Sequence, residues 1–366
     1  MTPAWFCQSI DMKAYIRGIG NISPQHSWDN RLKEMEVTGY DNTHLRCIEP
    51  HYAEYIKPIQ MRRMSRILKM GVAAAGKCLR DAGVEVPDAI ITGTGLGMMG
   101  DTEKFLVSML ENDERLLTPT AFIQSTHNTV GAHIAVMLKC NKYNFTHVND
   151  TLSFENTLLD GLIRVNENPA EKVLIAGIDE MTDSYFTIAR NAGYWKENID
   201  NSLELLRHGG PGSIAGEGAA FFIISGEQHP ENYACFSGVR TFYKPVSEAE
   251  TDQFIIEFLS AHGLGLQDVD ILLSGINGDP RGDRIYRRVH EKLFGDNCIA
   301  YYKHLCGEYY TSSSFASWLG ALILHEQHIP GYIILNDKPL HSPLKNVLIY
   351  NYHHDTNHAL ILLSAC

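Results

Sequence analysis

The chain has 366 residues, 44% hydrophobic and 20% charged, with a formal net charge of −12. These proportions suit a folded globular protein, and the acidic balance excludes a general nucleic-acid binder, which needs a basic footprint for phosphates. No apolar run approaches the roughly 18–20 residues of a membrane span, and the N-terminus lacks the basic flank and apolar core of a signal peptide.

Residues 13–22 read as an opening strand that ends in a glycine turn. Residues 61–82 form an amphipathic helix in which Ala73, Ala74 and Ala75 permit close packing, with Gly83 as its stop signal. A buried strand at 88–94 and a helix at 100–110 follow, then a helix at 122–137 that starts polar and continues apolar at helical spacing. Next come a strand at 144–148, a helix at 154–165 and a strand at 172–176, then a strand at 218–224 after the glycine-rich stretch 212–218. Beyond that the spacing predicts helices at 248–261, 284–293 and 313–327, and strands at 269–274, 298–302, 331–335, 347–350 and 359–363. Strands alternating with helices indicate α/β layers. The length allows two domains or one large duplicated unit, and no Pro/Ser-rich linker separates the halves.

Eight cysteines are scattered at Cys7, Cys47, Cys78, Cys140, Cys235, Cys298, Cys306 and Cys366, with no CxxC pair. That argues against a zinc ribbon and for free thiols in a reducing cytoplasm. Gly95-Leu96-Gly97-Met98-Met99-Gly100 is a literal GxGxxG after a strand, the context of a dinucleotide site. The acidic residues that follow, Glu111, Asp113 and Glu114, fall in a polar loop and not at the end of a second strand. A tight glycine turn is therefore the favoured reading, with a nucleotide-binding oxidoreductase as the alternative. Arg284, Arg287 and Arg288 form a local basic cluster that is either a solvated helix face or a dock for an acidic protein.

Several short motifs fall in a telling order. They are Cys78-Leu79-Arg80-Asp81-Ala82-Gly83, Gly93-Thr94-Gly95, Phe122 to Asn128, Lys172 to Glu180 and Gly216-Glu217-Gly218-Ala219-Ala220, then Pro280-Arg281-Gly282-Asp283, Lys303 with Gly307, and Thr356-Asn357. In order and spacing they resemble the β-ketoacyl synthase family, within the thiolase-like superfamily, across almost the whole chain. The resemblance is closest to short ketosynthase-like and chain-length-factor proteins of aryl polyene or flexirubin-type clusters. It implies a thiolase-like α/β fold, two βαβαβ halves in five α-β-α-β-α layers. Residues 1–230 would be the half with the nucleophile elbow and dimer surface, and 231–366 the second half. It implies no cofactor and no metal.

The family's chemistry needs a Cys at a helix N-terminus, where the thiolate is favoured, and two His donors where charge builds on a thioester oxygen. Carried onto this chain, the Cys position falls on Thr151 in the elbow 148–154, with Ser153 two residues on. A Thr hydroxyl needs an adjacent base, and Asp150 is a poor candidate; Thr151 or Ser153 capping the next helix is the plainer reading. The first His position falls on Gly275 by ungapped count, with Asn277 the nearest side chain able to donate, and the second falls on Glu308. A carboxylate at Glu308 opposes a developing oxyanion unless it is protonated. Lys303 holds the family's lysine position, while the flexible glycines of its C-terminal loop are replaced by Tyr352, His353, His354 and Asp355.

Other residues are weighed as substitutes: Cys306 as a displaced nucleophile, Asp279 with Glu308 as a carboxylate pair, and His353, His354 and Asp355 as a metal or acid–base group. His304 and His325 read as ordinary loop and helix-face residues. The favoured expectation is a subunit without its own condensing activity, comparable to a chain-length factor, in fatty acid or polyketide (polyene pigment) biosynthesis. It would work with an acyl carrier protein and with an active ketosynthase as heterodimer, or with itself as homodimer. Residues 122–128 and 131–138 would form the dimer surface, and neither nucleic acid nor membrane is a partner. The alternative is an active acyltransferase or condensing enzyme using Thr151, Ser153 or Cys306.

Overall fold

The computed structural model describes residues 12–115, 117–340, 342–353 and 356–366. In chain order the elements are β1 (Ala14–Ile22), α1 (Pro58–Met61), α2 (Arg66–Asp81), β2 (Ala89–Gly93), α3 (Met99–Glu111), α4 (Pro119–Gln124), α5 (Thr129–Leu138), β3 (Tyr143–His147), α6 (Ser153–Glu167), β4 (Val173–Asp179), α7 (Asp183–Asn191) and β5 (Gly218–Ser225). The second half holds β6 (Cys235–Tyr243), α8 (Glu248–Ala261), β7 (Ile271–Ser274), α9 (Pro280–Leu293), β8 (Cys298–Tyr301), α10 (Lys303–Cys306), α11 (Ser312–Glu326), β9 (Asn346–His353) and β10 (Asn357–Ser364).

The ten strands run β3-β2-β4-β5-β1-β6-β10-β9-β7-β8. Read inward from either edge, the order is the same: third, second, fourth, fifth and first strand of each half. The sense repeats too, with β3–β2–β4 and β8–β7–β9 parallel, then β4–β5–β1 and β9–β10–β6 antiparallel. The halves join at β1–β6 through two pairs, Ala14 with Phe236 and Tyr15 with Cys235.

Layering follows from the helix surfaces. α11 is apolar or hydroxyl-bearing all round and buried from Ser312 to Leu324, as a core helix should be. With α6 it packs between the half-sheets, and one hydrophobic core takes in Ile16, Phe154 and Phe222 from the first half and Phe315, Leu322 and Ile361 from the second. α2 and α5 cover the outer face of the first half-sheet, and α8 and α9 that of the second. The Gly18 and Gly20 positions of β1 let α2 approach closely: a Cβ at Gly18 would lie 2.6 Å from the Ala82 Cβ.

Three differences from the sequence expectation have local causes. The 122–137 helix is broken into α4 and α5, because Ser125 and Thr126 hydroxyls donate back to the Phe122 and Ile123 carbonyls at 2.8 and 3.0 Å. Residues 331–335 form a 3-10 turn at Gly331–Ile333, touching the sheet through an Ala300–Ile334 bridge. α7 and β6 were not expected; the signal for α7 was Thr182, whose hydroxyl caps it by accepting from Tyr185 N at 3.2 Å.

Candidate active-site cavity

The elbow lies between β3 and α6. Asp150 takes a left-handed φ of 51°, uncommon without glycine. Ser153 closes the turn: its hydroxyl donates to the Asp150 carbonyl at 2.7 Å and accepts from Asn149 N at 2.9 Å. Neither Thr151 nor Ser153 is the helix cap, since Leu152 holds that position without a side-chain bond. Thr151 is 1% exposed, and its hydroxyl accepts from Asn357 Nδ2 at 3.0 Å. Asp150 is exposed on the elbow, as are Val148 and Asn149, and it lies near enough to Tyr185 and Tyr310 for its charge to act on both phenols.

Behind this turn, α10 ends in Gly307 (φ 71°), pressed against Ala215 and Gly216, and delivers Glu308. Lys303 is fully buried. Its ammonium bonds the Glu308 carboxylate and donates to Ser312 Oγ at 2.6 Å. The other Glu308 oxygen accepts from Asn277 Nδ2 at 2.8 Å, and His353 Nε2 stands 3.7 Å from the pair. Burial pushes the Glu308 carboxyl up, but Lys303 and His353, with the Asn277 bond, outweigh it and hold the group below its ordinary value. Glu308 is therefore an ionised acceptor.

Gly275 has no room for a side chain. A Cβ there would lie 2.5 Å from Asn351 Oδ1 and 2.6 Å from the Tyr286 hydroxyl. Asn277 is fixed as well: its backbone N donates to Asp283 at 3.0 Å, and its side-chain oxygen accepts from Asp279 N at 3.1 Å. Asp279 does not pair with Glu308, because its carboxylate is taken up by the Arg281 guanidinium at 2.6 Å. Cys306 is buried and points its thiol at the Gly307 carbonyl at 3.2 Å, with burial raising its pKa. His304 is no loop residue but a fully buried one, stacked on Tyr301 at 3.8 Å. His325 is exposed near the end of α11.

Asn277, Glu308 and His353 meet at a cavity of about 340 Å³, walled by Tyr185, Tyr194, Trp195, Tyr310 and Tyr352. Lys303 lies behind Glu308, and Thr151, Ser153 and Cys306 are not among the lining residues. His354 and Asp355 lie outside the described residues. Among the described residues no group of three His, Cys, Asp or Glu side chains could hold a metal, and no helix is long and apolar enough to cross a membrane.

The GxGxxG turn closes on the protein's own carboxylate. Asp179 Oδ1 accepts from Thr94 Oγ1 and Gly95 N at 2.8 Å and Leu96 N at 3.0 Å, while Oδ2 accepts from Thr311 N and Oγ1. Glu180 accepts from Gly100 N at 2.9 Å. Gly97 sits at φ +62°, against His127. The amides that would cradle a pyrophosphate are already engaged, which removes the dinucleotide reading. Arg284, Arg287 and Arg288 line a separate groove of about 610 Å³ together with Asp283 and Glu291, and Arg288 is also paired with Asp252 at 2.7 Å.

Residues 40–204 match the family model of the β-ketoacyl synthase N-terminal domain. Curated proteins searched with the sequence give no match. Among solved structures, the ishigamide ketosynthase/chain length factor aligns with TM-score 0.81 and 16% identity, covering 97% of this chain and 100% of that one. A β-ketoacyl synthase from Burkholderia phymatum aligns with TM-score 0.77 and 14% identity over 97% of this chain and 100% of that one. The complex of the ketosynthase ApeO with its chain length factor ApeC from Xenorhabdus doucetiae gives TM-score 0.75 and 13% identity, over 97% of this chain and 98% of that one. Residues 40–204 are thus similar to the β-ketoacyl synthase N-terminal domain, and the chain as a whole has the thiolase-like fold of these structures.

Proposed function

We propose that this protein is a non-catalytic, chain-length-factor-type partner of an active ketosynthase, acting in the cytoplasm on carrier-bound fatty or polyketide chains of the polyene-pigment kind. The observation that carries the reading is the buried Lys303–Glu308 pair. It keeps Glu308 an ionised carboxylate at a position where the resemblance implies a neutral donor, and Gly275, the position implied for the other, leaves no space for a side chain. Among the elbow candidates for a nucleophile, Ser153 is spent on the backbone and Thr151 is buried against Asn357, while Cys306 is inert by burial. Ketosynthases in complex with a chain length factor, or with an acyl carrier protein, are among the similar folds.

The first half also offers a surface for a partner subunit. β3 is an edge strand with Phe145 (47% exposed) on it and Val148 just beyond it, and Phe122 and Ile123 on α4 and Val136 on α5 are exposed as well, apolar surface that favours burial. The free edge would let β3 continue into a partner's sheet. The groove lined by Arg284, Arg287 and Arg288, three cations against the carboxylates of Asp283 and Glu291, would suit an acidic carrier protein. The test is intact-protein mass after incubation with acyl and malonyl carrier proteins, with and without a candidate ketosynthase. No adduct on this chain, with labelling of the partner and longer products when both are present, is expected. An acyl adduct on this chain alone would overturn the reading.

A further inference from the structure

A second pocket, of about 400 Å³, lies where β1, the end of α2, the β5–β6 connection and the end of α11 meet. Arg17, Asp81, His229, Asn232, Tyr233 and His325 line it, and it shares no residue with the cavity at Glu308. α11 separates the two, with Ser312 beside Lys303 at one end and His325 at the other, about 20 Å apart along the helix axis. The volume falls within the range of small-molecule sites.

Asn232 is 4% exposed, and among the described residues neither its Nδ2 nor its Oδ1 has a hydrogen-bond partner. A buried amide left unpaired carries the desolvation cost of both atoms. The groups beside it are already engaged. Asp81 Oδ2 accepts from Ile19 N at 2.9 Å, and the Tyr233 phenol also bonds this carboxylate. His229 Nδ1 accepts from Glu231 N at 3.3 Å, which puts the ring proton on Nε2. The Asn232 amide is therefore the group that a ligand here would satisfy.

A ligand that uses both amide atoms presents a donor and an acceptor side by side. An adenine edge does so, since asparagine accepts from its N6–H and donates to its N7. Tyr233 and His325 lie beside the amide with ring centroids 4.8 Å apart, tilted at 44°, and offer the flat surface on which unpaired bases stack. We propose that this pocket binds adenine, with the N6–N7 edge on Asn232 and the ring against Tyr233 and His325. Adenine arrives as a nucleoside or as a nucleotide. Arg17 is the side chain there that would meet a phosphate, and the exposed Glu231 would accept from ribose hydroxyls.

The test is calorimetry on the full chain with adenosine, 7-deazaadenosine and AMP. Adenosine should bind, and 7-deazaadenosine, which lacks the N7 acceptor, should bind about tenfold more weakly, the lower end of what one bidentate base contact discriminates. Asn232→Ala should weaken adenosine at least as much and remove its advantage over the deaza analogue. If that variant fails to fold, the analogue pair on the wild-type chain carries the test alone. AMP identifies the source: binding tighter than adenosine, with the gain lost in Arg17→Gln, means a nucleotide, and equal or weaker binding means a nucleoside. No binding of adenosine, equal binding of the two nucleosides, or an unchanged affinity in Asn232→Ala would overturn the proposal.

Discussion

At the scale of single residues, Lys303 and Glu308 carry the largest energetic stake. Breaking a buried ion pair by removing one partner costs about 3–5 kcal/mol, because the other charge is left uncompensated. Lys303→Met should lose about that much in urea unfolding, and Lys303→Met with Glu308→Gln should recover most of it. Gly275→His, which puts a histidine where the ungapped resemblance implies one, should not restore chemistry. Its Cβ would press on Asn351 and Tyr286, and overpacking of this kind costs about 1–3 kcal/mol, seen as a lowered Tm. The sequence showed that Glu308 opposes an oxyanion, since that follows from residue type alone. It did not show that Lys303 keeps Glu308 charged, nor that Gly275 is walled in by residues far along the chain, because both depend on side-chain directions. The GxGxxG turn is the clearest case: five hydrogen bonds to Asp179 link segments that no local pattern connects.

Among the elements, long periodic segments were legible and short or hydroxyl-rich ones were not. α8 lies where its spacing places it, at Glu248–Ala261, because its apolar period and its N-cap Ser247 agree. The 122–137 stretch has helical spacing too, but Ser and Thr side chains compete for its backbone carbonyls and split it. β6 escaped notice because its residues are buried at one end and half-exposed at the other, so no single period runs through it. The element with the most direct consequence for assembly is β3 at the sheet edge. Phe145→Glu with Val148→Glu, at positions 47% and 48% exposed, should leave Tm within about 1 °C, as surface changes usually do. The same double variant should abolish association with a ketosynthase or a second copy in light scattering; unchanged association would remove this edge as the interface.

For the whole molecule, the alternation of strands and helices showed the α/β class, while the repeated strand order needed β6 to become visible. Global stability carries a pH-dependent contribution from Glu155, beside those of Glu180 and Asp283, whose carboxyls burial also pushes up, to about 7 and about 6. Glu155 on α6 is 1% exposed, and neither carboxylate oxygen has a hydrogen-bond partner among the described residues. Burial pushes its pKa up to about 7, against smaller opposing pulls from Ser313 and Lys303. A carboxyl raised on folding contributes stability that is complete below its unfolded value, near 4.5, and is lost as pH rises through about 7. Glu155→Gln should therefore reduce the fall in Tm across that window and raise Tm above it; a wild-type fall retained in full would assign it to Glu180 and Asp283. The paired strand orders have a last consequence. The chain crosses from one half to the other once, between β5 and β6, while Phe154 and Phe222 share a core with Leu322 and Ile361. Cut at that crossing, each fragment would leave half of its interior bare and aggregate when made singly. Co-expressed, the two should complement one another and reassemble, because what holds the halves together is the helix layer between them and not the covalent link.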